Sequence, residues 1–370
     1  MLKYNKLETP CIIIDMNKVS ANIQKMQAAA DYLRCKLRPH AKTHKSVEIA
    51  KMQIGAGSCG ITCAKPSEAE VFEDNGIDDI FIAYPLIGAN KLRRALNIQK
   101  KIKRLIVAVD SIEGAKAMSD FAVSENAVFE VRLEIDTGAS RTGAMIDNLC
   151  KIGAEIKELP GINVTGVYTF KSLVYKNLAT TDAEAAGGEE ARLIAEAADV
   201  LRGTGLNIND ISCGSTPTGL TSAKTGFVNE IRPGTYVFYD WLTLIEGCCD
   251  ENDIAAYLYA TVISTPQDSL AVIDAGTKAL STDIRLNVPP FSINGYAKIS
   301  GNDDLVLDRL NEEHGMIRHI NGGKTGLCVG DVLRLIPAHI CTAINLHDFI
   351  YADENGVLRK MNIDARGKVY

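Results

Sequence analysis

Between residues 36 and 239, short β-prone runs alternate with longer stretches of helical period, and this alternation constrains the fold more than any other feature. The β-prone runs fall at 36–40, 59–63, 80–84, 105–110, 128–136, 163–170, 210–213 and 230–239. Amphipathic stretches such as 17–33, 67–75 and 184–201 place apolar residues three and four apart. Ser67 ahead of Glu68 and Glu70 reads as a helix start, as does Asp110-Ser111 ahead of Glu113; Asp15 is a looser one. Parallel strands need crossover connections, so eight strands with helices between them predict a closed (β/α)8 barrel. An open doubly wound sheet uses the same alternation. No Gly-x-Gly-x-x-Gly follows the first apolar run, Cys-Ile-Ile-Ile-Asp at 11–15, and that ranks it second.

After Gly247 the texture changes. Short apolar runs at 256–263, 269–273, 297–299, 331–336 and 349–352 are separated by Gly, Pro, Asn and Asp, with little helical period. The expected division is a barrel over 12–247 and an all-β domain over 248–370, with residues 1–11 packing on the second.

Charge and cysteine content narrow the class of function. A net charge of −6 argues against a general nucleic-acid or anionic-membrane binder. No apolar run reaches the roughly 18–20 residues of a membrane span, and the first residues lack the apolar core of a signal peptide. The ten cysteines are scattered, mostly in apolar runs, as expected of free thiols in a reducing cytoplasm.

Chemistry-bearing residues gather at expected strand ends, where barrels place their sites. Arg38-Pro-His-Ala-Lys-Thr-His-Lys45 puts Arg38, His40, Lys42 and His44 at alternate positions, one face of an extended strand. A lysine among cations suits Schiff-base chemistry; the same residues also read as a basic strand end on the surface. Glu134-Ile-Asp-Thr-Gly-Ala-Ser-Arg-Thr-Gly143 carries Arg141 in a turn, and Tyr168 closes another run. Ser212-Cys-Gly-Ser-Thr-Pro-Thr218 offers backbone N–H groups and the Ser215 and Thr216 hydroxyls to an anion, and Gly234 and Thr235 complete that cradle. Ordinary polar turns have the same composition. In Pro337-Ala-His-Ile-Cys341, His339 and Cys341 stand two apart, one face of a strand, and imidazole with thiolate is a good zinc pair.

Taken together, these motifs resemble the D-threonine aldolase and D-serine dehydratase family, alanine racemase-like enzymes of fold-type III that use pyridoxal 5′-phosphate. The resemblance is carried by 38–45, Ser140-Arg-Thr-Gly143, Gly214-Ser-Thr-Pro-Thr218 and Arg232-Pro-Gly-Thr-Tyr-Val-Phe238. Further on it is carried by Asp274-Ala-Gly-Thr-Lys-Ala-Leu280, Glu312-Glu-His-Gly315, 337–341 and Asn345-Leu-His-Asp348. It implies Lys42 as the Schiff-base lysine and Arg141 beside the pyridoxal ring. It also implies His40, Tyr168, Tyr175, Ser215 and Thr216 as cofactor contacts, with Gly234 and Thr235 at the phosphate. His339 and Cys341 would hold a divalent metal, zinc first, with manganese or magnesium behind it. A cytoplasmic homodimer acting on a small D-amino acid is the implied setting. Residues 169–175, Thr-Phe-Lys-Ser-Leu-Val-Tyr, depart from the glycine- and histidine- or glutamine-rich loop common to both activities, so aldol cleavage and dehydration both stay open. An amino-acid racemase of the alanine racemase type is the alternative. A non-catalytic cofactor carrier and a metal hydrolase rank below it.

Overall fold

The computed structural model describes residues 7–370; the expectation for residues 1–6 lies outside them. The described chain divides into two units. One takes the chain through Ile23, Thr43–Lys45 and Thr235–Gly367; the other takes Gln24–Lys42, Ser46–Gly234 and Lys368–Tyr370.

The second unit holds eight parallel strands: Lys36–Leu37, Ile61–Cys63, Asp79–Pro85, Arg104–Val109, Phe129–Glu134, Ile162–Tyr168, Asp210–Cys213 and Glu230–Ile231. Neighbours in sequence pair in register, for example Ile61 with Ile80 and Ile106 with Glu130, and Glu230 pairs with Lys36. The bridge between His40 and Thr62, with Thr62 N–H donating to Pro39 O at 2.7 Å, closes the barrel. Each of the eight expected runs contains a strand, and helices such as Pro66–Asp74 and Ala183–Gly203 cross between them; in the last run only Glu230–Ile231 is extended, and Thr235–Val237 is a 3-10 turn. The central strands Asp79–Pro85 and Arg104–Val109 are mostly apolar, as strands covered on both sides are, whereas Phe129–Glu134 alternates apolar and charged residues.

Two of the expected helix starts hold and one differs in detail. Ser111 accepts the Gly114 N–H at 3.3 Å and Asp15 accepts those of Asn17 and Lys18, as capping requires. Ser67, however, lies inside its helix, which opens on Pro66, a residue whose fixed φ suits the first turn.

The barrel interior is partly ionic. Glu230, fully buried, accepts from Arg38 Nε at 2.8 Å, from both Arg132 terminal nitrogens and from Ser212 Oγ at 2.7 Å. Arg132 also donates to Asp210 at 2.9 Å. Burial opposes the Glu230 charge, but the two guanidinium groups outweigh it and hold this carboxyl well below the usual range. Above the network Phe81, Ile106, Ala108 and Tyr168 form an apolar cluster.

The first unit is a nine-stranded mixed sheet among the described residues. The strand Ala256–Gln267 pairs antiparallel with Leu270–Ile273, with Val332–Pro337 and with Cys11–Asp15. Cys11–Asp15 also runs parallel to Phe349–Glu354. The division at residue 247 put Ile12–Ile14 with the barrel; their hydrogen bonds put them in this sheet instead. A short apolar run carries no mark of its partner, and only pairing decides. Thr9, whose hydroxyl meets Asp274 Oδ2 at 2.5 Å, leads the chain into the same sheet.

Candidate active site

The barrel unit gathers most of the singled-out residues at the C-terminal ends of its strands. Lys42 does not continue the extended face expected of 38–44. The chain turns into a single 3-10 turn, Ala41–Thr43, directly after the His40 bridge. Arg38 therefore points into the ionic core while Lys42 is exposed. Alternation ends there because a 3-10 turn advances by three residues, not two. His40 accepts the Lys42 backbone N–H through Nδ1 at 3.4 Å, and its own N–H donates to Pro233 O.

The Lys42 Nζ lies 5.8 Å from the Phe170 ring centre, and the Arg141 guanidinium lies 5.1 Å from the same ring. One aromatic ring thus has cations from two strand ends within cation–π range. Arg141 is half-exposed and stands 3.9 Å from Glu134 Oε1. Glu134 also accepts from Thr142 Oγ1 and from the Tyr168 hydroxyl, each at 2.9 Å. Burial pushes the Glu134 carboxyl up, and burial with Glu134 beside it raises the Tyr168 phenol far above its ordinary value. Tyr168 is therefore a neutral donor within the core, its ring edge-on to Phe81 at 5.0 Å.

Gly214 has φ +83°, and a Cβ there would come within 2.6 Å of Gly219 Cα, so position 214 of the turn after Asp210–Cys213 admits no side chain. Ser215 Oγ sits 3.0 Å from Thr218 Oγ1 and 3.2 Å from Ser172 Oγ, with Thr216 half-buried beside it. Tyr175 is half-buried in a small hairpin with Lys176 5.0 Å from its ring centre. No motif marks Glu190 in the order of residues. This buried helix carboxylate accepts from Lys171 N at 3.0 Å, Gly214 N at 3.4 Å and Thr218 Oγ1 at 3.1 Å. It ties the loop after one strand to the loop after the next; in sequence it is only one more glutamate on an amphipathic helix.

In the other unit His339 and Cys341 are brought together, but not on a strand. His339 is extended (φ −140°, ψ 109°) and caps the helix Ile340–Ile344, whose first turn contains Cys341. The pair meets across a strand-to-helix corner. Cys341 Sγ lies 3.2 Å from Thr43 Oγ1 and 3.4 Å from Thr235 Oγ1, so the Thr235 hydroxyl faces sulfur. Burial pushes the Cys341 thiol up, but His339 outweighs it and brings it below the ordinary thiol range. Burial works against the His339 charge, yet Cys341 and Asp283 push its pKa up to about 11. Each group thus favours the charged form of the other, and a thiolate is the form of sulfur a metal requires. Among the described residues no group of three or more His, Cys, Asp or Glu is arranged to hold a metal, so a cation here would keep positions for water or substrate.

A closed parallel barrel with an exposed lysine after its first strand, and a separate β unit, defines the alanine racemase-like class. The family model described as alanine racemase, N-terminal domain, matches residues 14–240, and that of a putative serine dehydratase domain matches 255–352. The D-threonine aldolase of Arthrobacter sp is 32% identical over 372 residues, covering 98% of this chain and 93% of that protein. The D-threo-3-hydroxyaspartate dehydratase of Delftia sp. (strain HT23) is 35% identical over 349 residues, covering 90% and 91%. The chain belongs to the D-threonine aldolase and D-serine dehydratase family, and so to the lyases.

Two solved variants of a D-threo-3-hydroxyaspartate dehydratase superpose with TM-scores of 0.90 and 0.89 at 32% identity, each spanning 97% of this chain and 95% and 98% of theirs. One replaces a histidine by alanine. The other replaces a cysteine two positions later and is in the metal-free form. No helix of the described residues is long and apolar enough to cross a membrane.

Proposed function

We propose that the chain is a lyase of D-3-hydroxyamino acids that uses pyridoxal 5′-phosphate and a divalent metal. The observation that carries this reading is that Lys42 and Arg141 both lie within cation–π range of the one Phe170 ring at the barrel's strand ends. The residues fit the cofactor: an exposed amine for its aldehyde, and a turn opened by Gly214, with hydroxyls at Ser215 and Thr216, for its phosphate. Bound there, pyridoxal phosphate supplies an electron sink for the bond broken at the substrate's Cα. His339 and Cys341 fit a divalent ion, zinc first, which would supply Lewis acidity toward the substrate's 3-hydroxyl. The histidine and cysteine two apart in the metal-free relative's pair of variants support this assignment.

This chain's own residues then divide the work. In dehydration the Lys42 Nζ takes the Cα proton. In aldol cleavage the 3-hydroxyl gives up its proton instead. His40 holds the Lys42 backbone through the bond to its N–H. Glu134 and Tyr168 steady Arg141 from beneath. Gly234 adds its N–H to the phosphate cradle, while Thr235 and Thr43 hydroxyls support the Cys341 thiolate. We assign Tyr175 to the rim, as a cofactor or substrate contact. A cytoplasmic homodimer completes the reading, supported by the family resemblance and by ten free thiols.

Purified protein with D-serine, D-threonine and D-3-hydroxyaspartate tests the proposal. Dehydration gives a 2-oxo acid and ammonia; aldol cleavage gives an aldehyde or 2-oxo acid and glycine. Turnover is expected to fall at least about 10²-fold on chelation and to return with Zn2+, the loss expected when Lewis-acid charge stabilisation is removed. Absence of turnover of all three would count against the proposal, and chelator-insensitive loss of optical purity would favour the racemase.

A further inference from the structure

We propose that Asp283 is a positioning residue for the metal pair: it fixes the tautomer and ring orientation of His339 and thereby sets metal affinity. The inference rests on the reading of His339 and Cys341 as metal ligands and goes beyond it to a residue that no motif marks.

Asp283 lies between the strands Leu270–Ile273 and Ala297–Ile299, far from His339 in sequence. Its Oδ2 is 2.8 Å from His339 Nδ1. Its Oδ1 accepts the hydroxyls of Ser281 and, at 3.1 Å, of Thr342, the residue after Cys341. The carboxylate is thus held on both oxygens by groups that are themselves next to the site, although its side chain is 44% exposed. An ionised carboxylate only accepts, so Nδ1 must carry the hydrogen. In the neutral ring that metal binding requires, Nε2 is then the nitrogen with the lone pair. Without Asp283 the imidazole could take either tautomer and turn about χ2, and the fraction poised to bind would fall.

A second carboxylate holds the backbone of the same corner. Asp240 Oδ2 accepts the N–H of Ile340, between the two ligands, at 3.0 Å, while its Oδ1 accepts Thr243 N at 2.9 Å and Thr243 Oγ1 at 2.7 Å. With the backbone pinned by Asp240, the ring orientation is the remaining freedom, and Asp283 is the group that removes it.

The test measures zinc affinity of the cofactor-loaded protein by chelator competition, and thermal midpoints of zinc-free protein alongside. Asp283→Ala is expected to weaken zinc about 10- to 100-fold, the range for lost supports behind a metal-bound histidine. Asp283→Asn keeps an acceptor for Nδ1–H and is expected to weaken it less. The zinc-free midpoint should change little, whereas an ion pair serving only the fold would lower the midpoint and leave affinity alone. Equal zinc affinity of wild type and Asp283→Ala overturns the inference. Should Asp283→Ala fail to fold, Thr342→Val carries the test, since it keeps the carboxylate and removes one support. A loss of a few-fold supports the inference and unchanged affinity overturns it. Wild-type protein that takes up no zinc, manganese or magnesium overturns the metal reading, and this inference with it.

Discussion

Lys42→Ala is expected to lower kcat by about 10³-fold or more on whichever D-3-hydroxyamino acid proves to be the substrate. A general base alone contributes about 10²- to 10⁴-fold, and this lysine is assigned both that role and the covalent hold on the cofactor. The fold should survive the change. Lys42 is exposed in a short 3-10 turn whose backbone is held by His40 and by the barrel-closing bridge. Denaturation midpoints of mutant and wild type should therefore agree while the activities part. Borohydride reduction of wild type should tag the peptide containing Lys42 and no other. Turnover retained by the mutant, or a tag on a different lysine, would remove the basis of the proposed function.

Glu230→Gln is expected to cost stability, about 3–5 kcal/mol, by leaving Arg38 and Arg132 buried without their shared anion. That is a large share of the roughly 5–15 kcal/mol of a typical domain, so urea denaturation should show it plainly. The pH dependence has a definite sign. The folded carboxyl keeps its charge to lower pH than the same group in the unfolded chain, which takes its proton near about 4.3. The contribution is whole above that pH and is lost as the pH falls below it toward the folded value. The gap between wild type and Glu230→Gln should accordingly be widest near neutrality and shrink in acid. A gap that does not narrow would mean that the carboxylate's charge is not what holds the two arginines.

Several outcomes were legible from residue order because they depend on local periodicity. The eight barrel strands lie within the runs where the alternation put them, since each parallel strand must be followed by a crossover. Lys42, Arg141 and the Ser215 turn could be singled out because strand ends and small-residue turns leave marks in a few consecutive residues. The alternate placing of Arg38, His40, Lys42 and His44 misled for a related reason. It assumed extended backbone beyond His40, where the barrel closes and the chain turns. His339 and Cys341 show the same error: the spacing was right and the local conformation was not.

Other features had no local signature. Glu190, Asp240 and Asp283 each act, through hydrogen bonds, on residues from 19 to 100 positions away. Glu230 is one acid in a strand until Arg38 and Arg132 are folded around it. By itself, then, the sequence determined the barrel, its companion β domain and the chemical types of the reacting groups, because periodicity and turn chemistry are short-range properties. Tertiary structure alone decided where Cys11–Asp15 pairs, which way Lys42 points, how His339 meets Cys341 and which carboxylates hold them. Those depend on hydrogen bonds and charges that converge from distant segments, and nothing in the order of residues records which distant groups will meet.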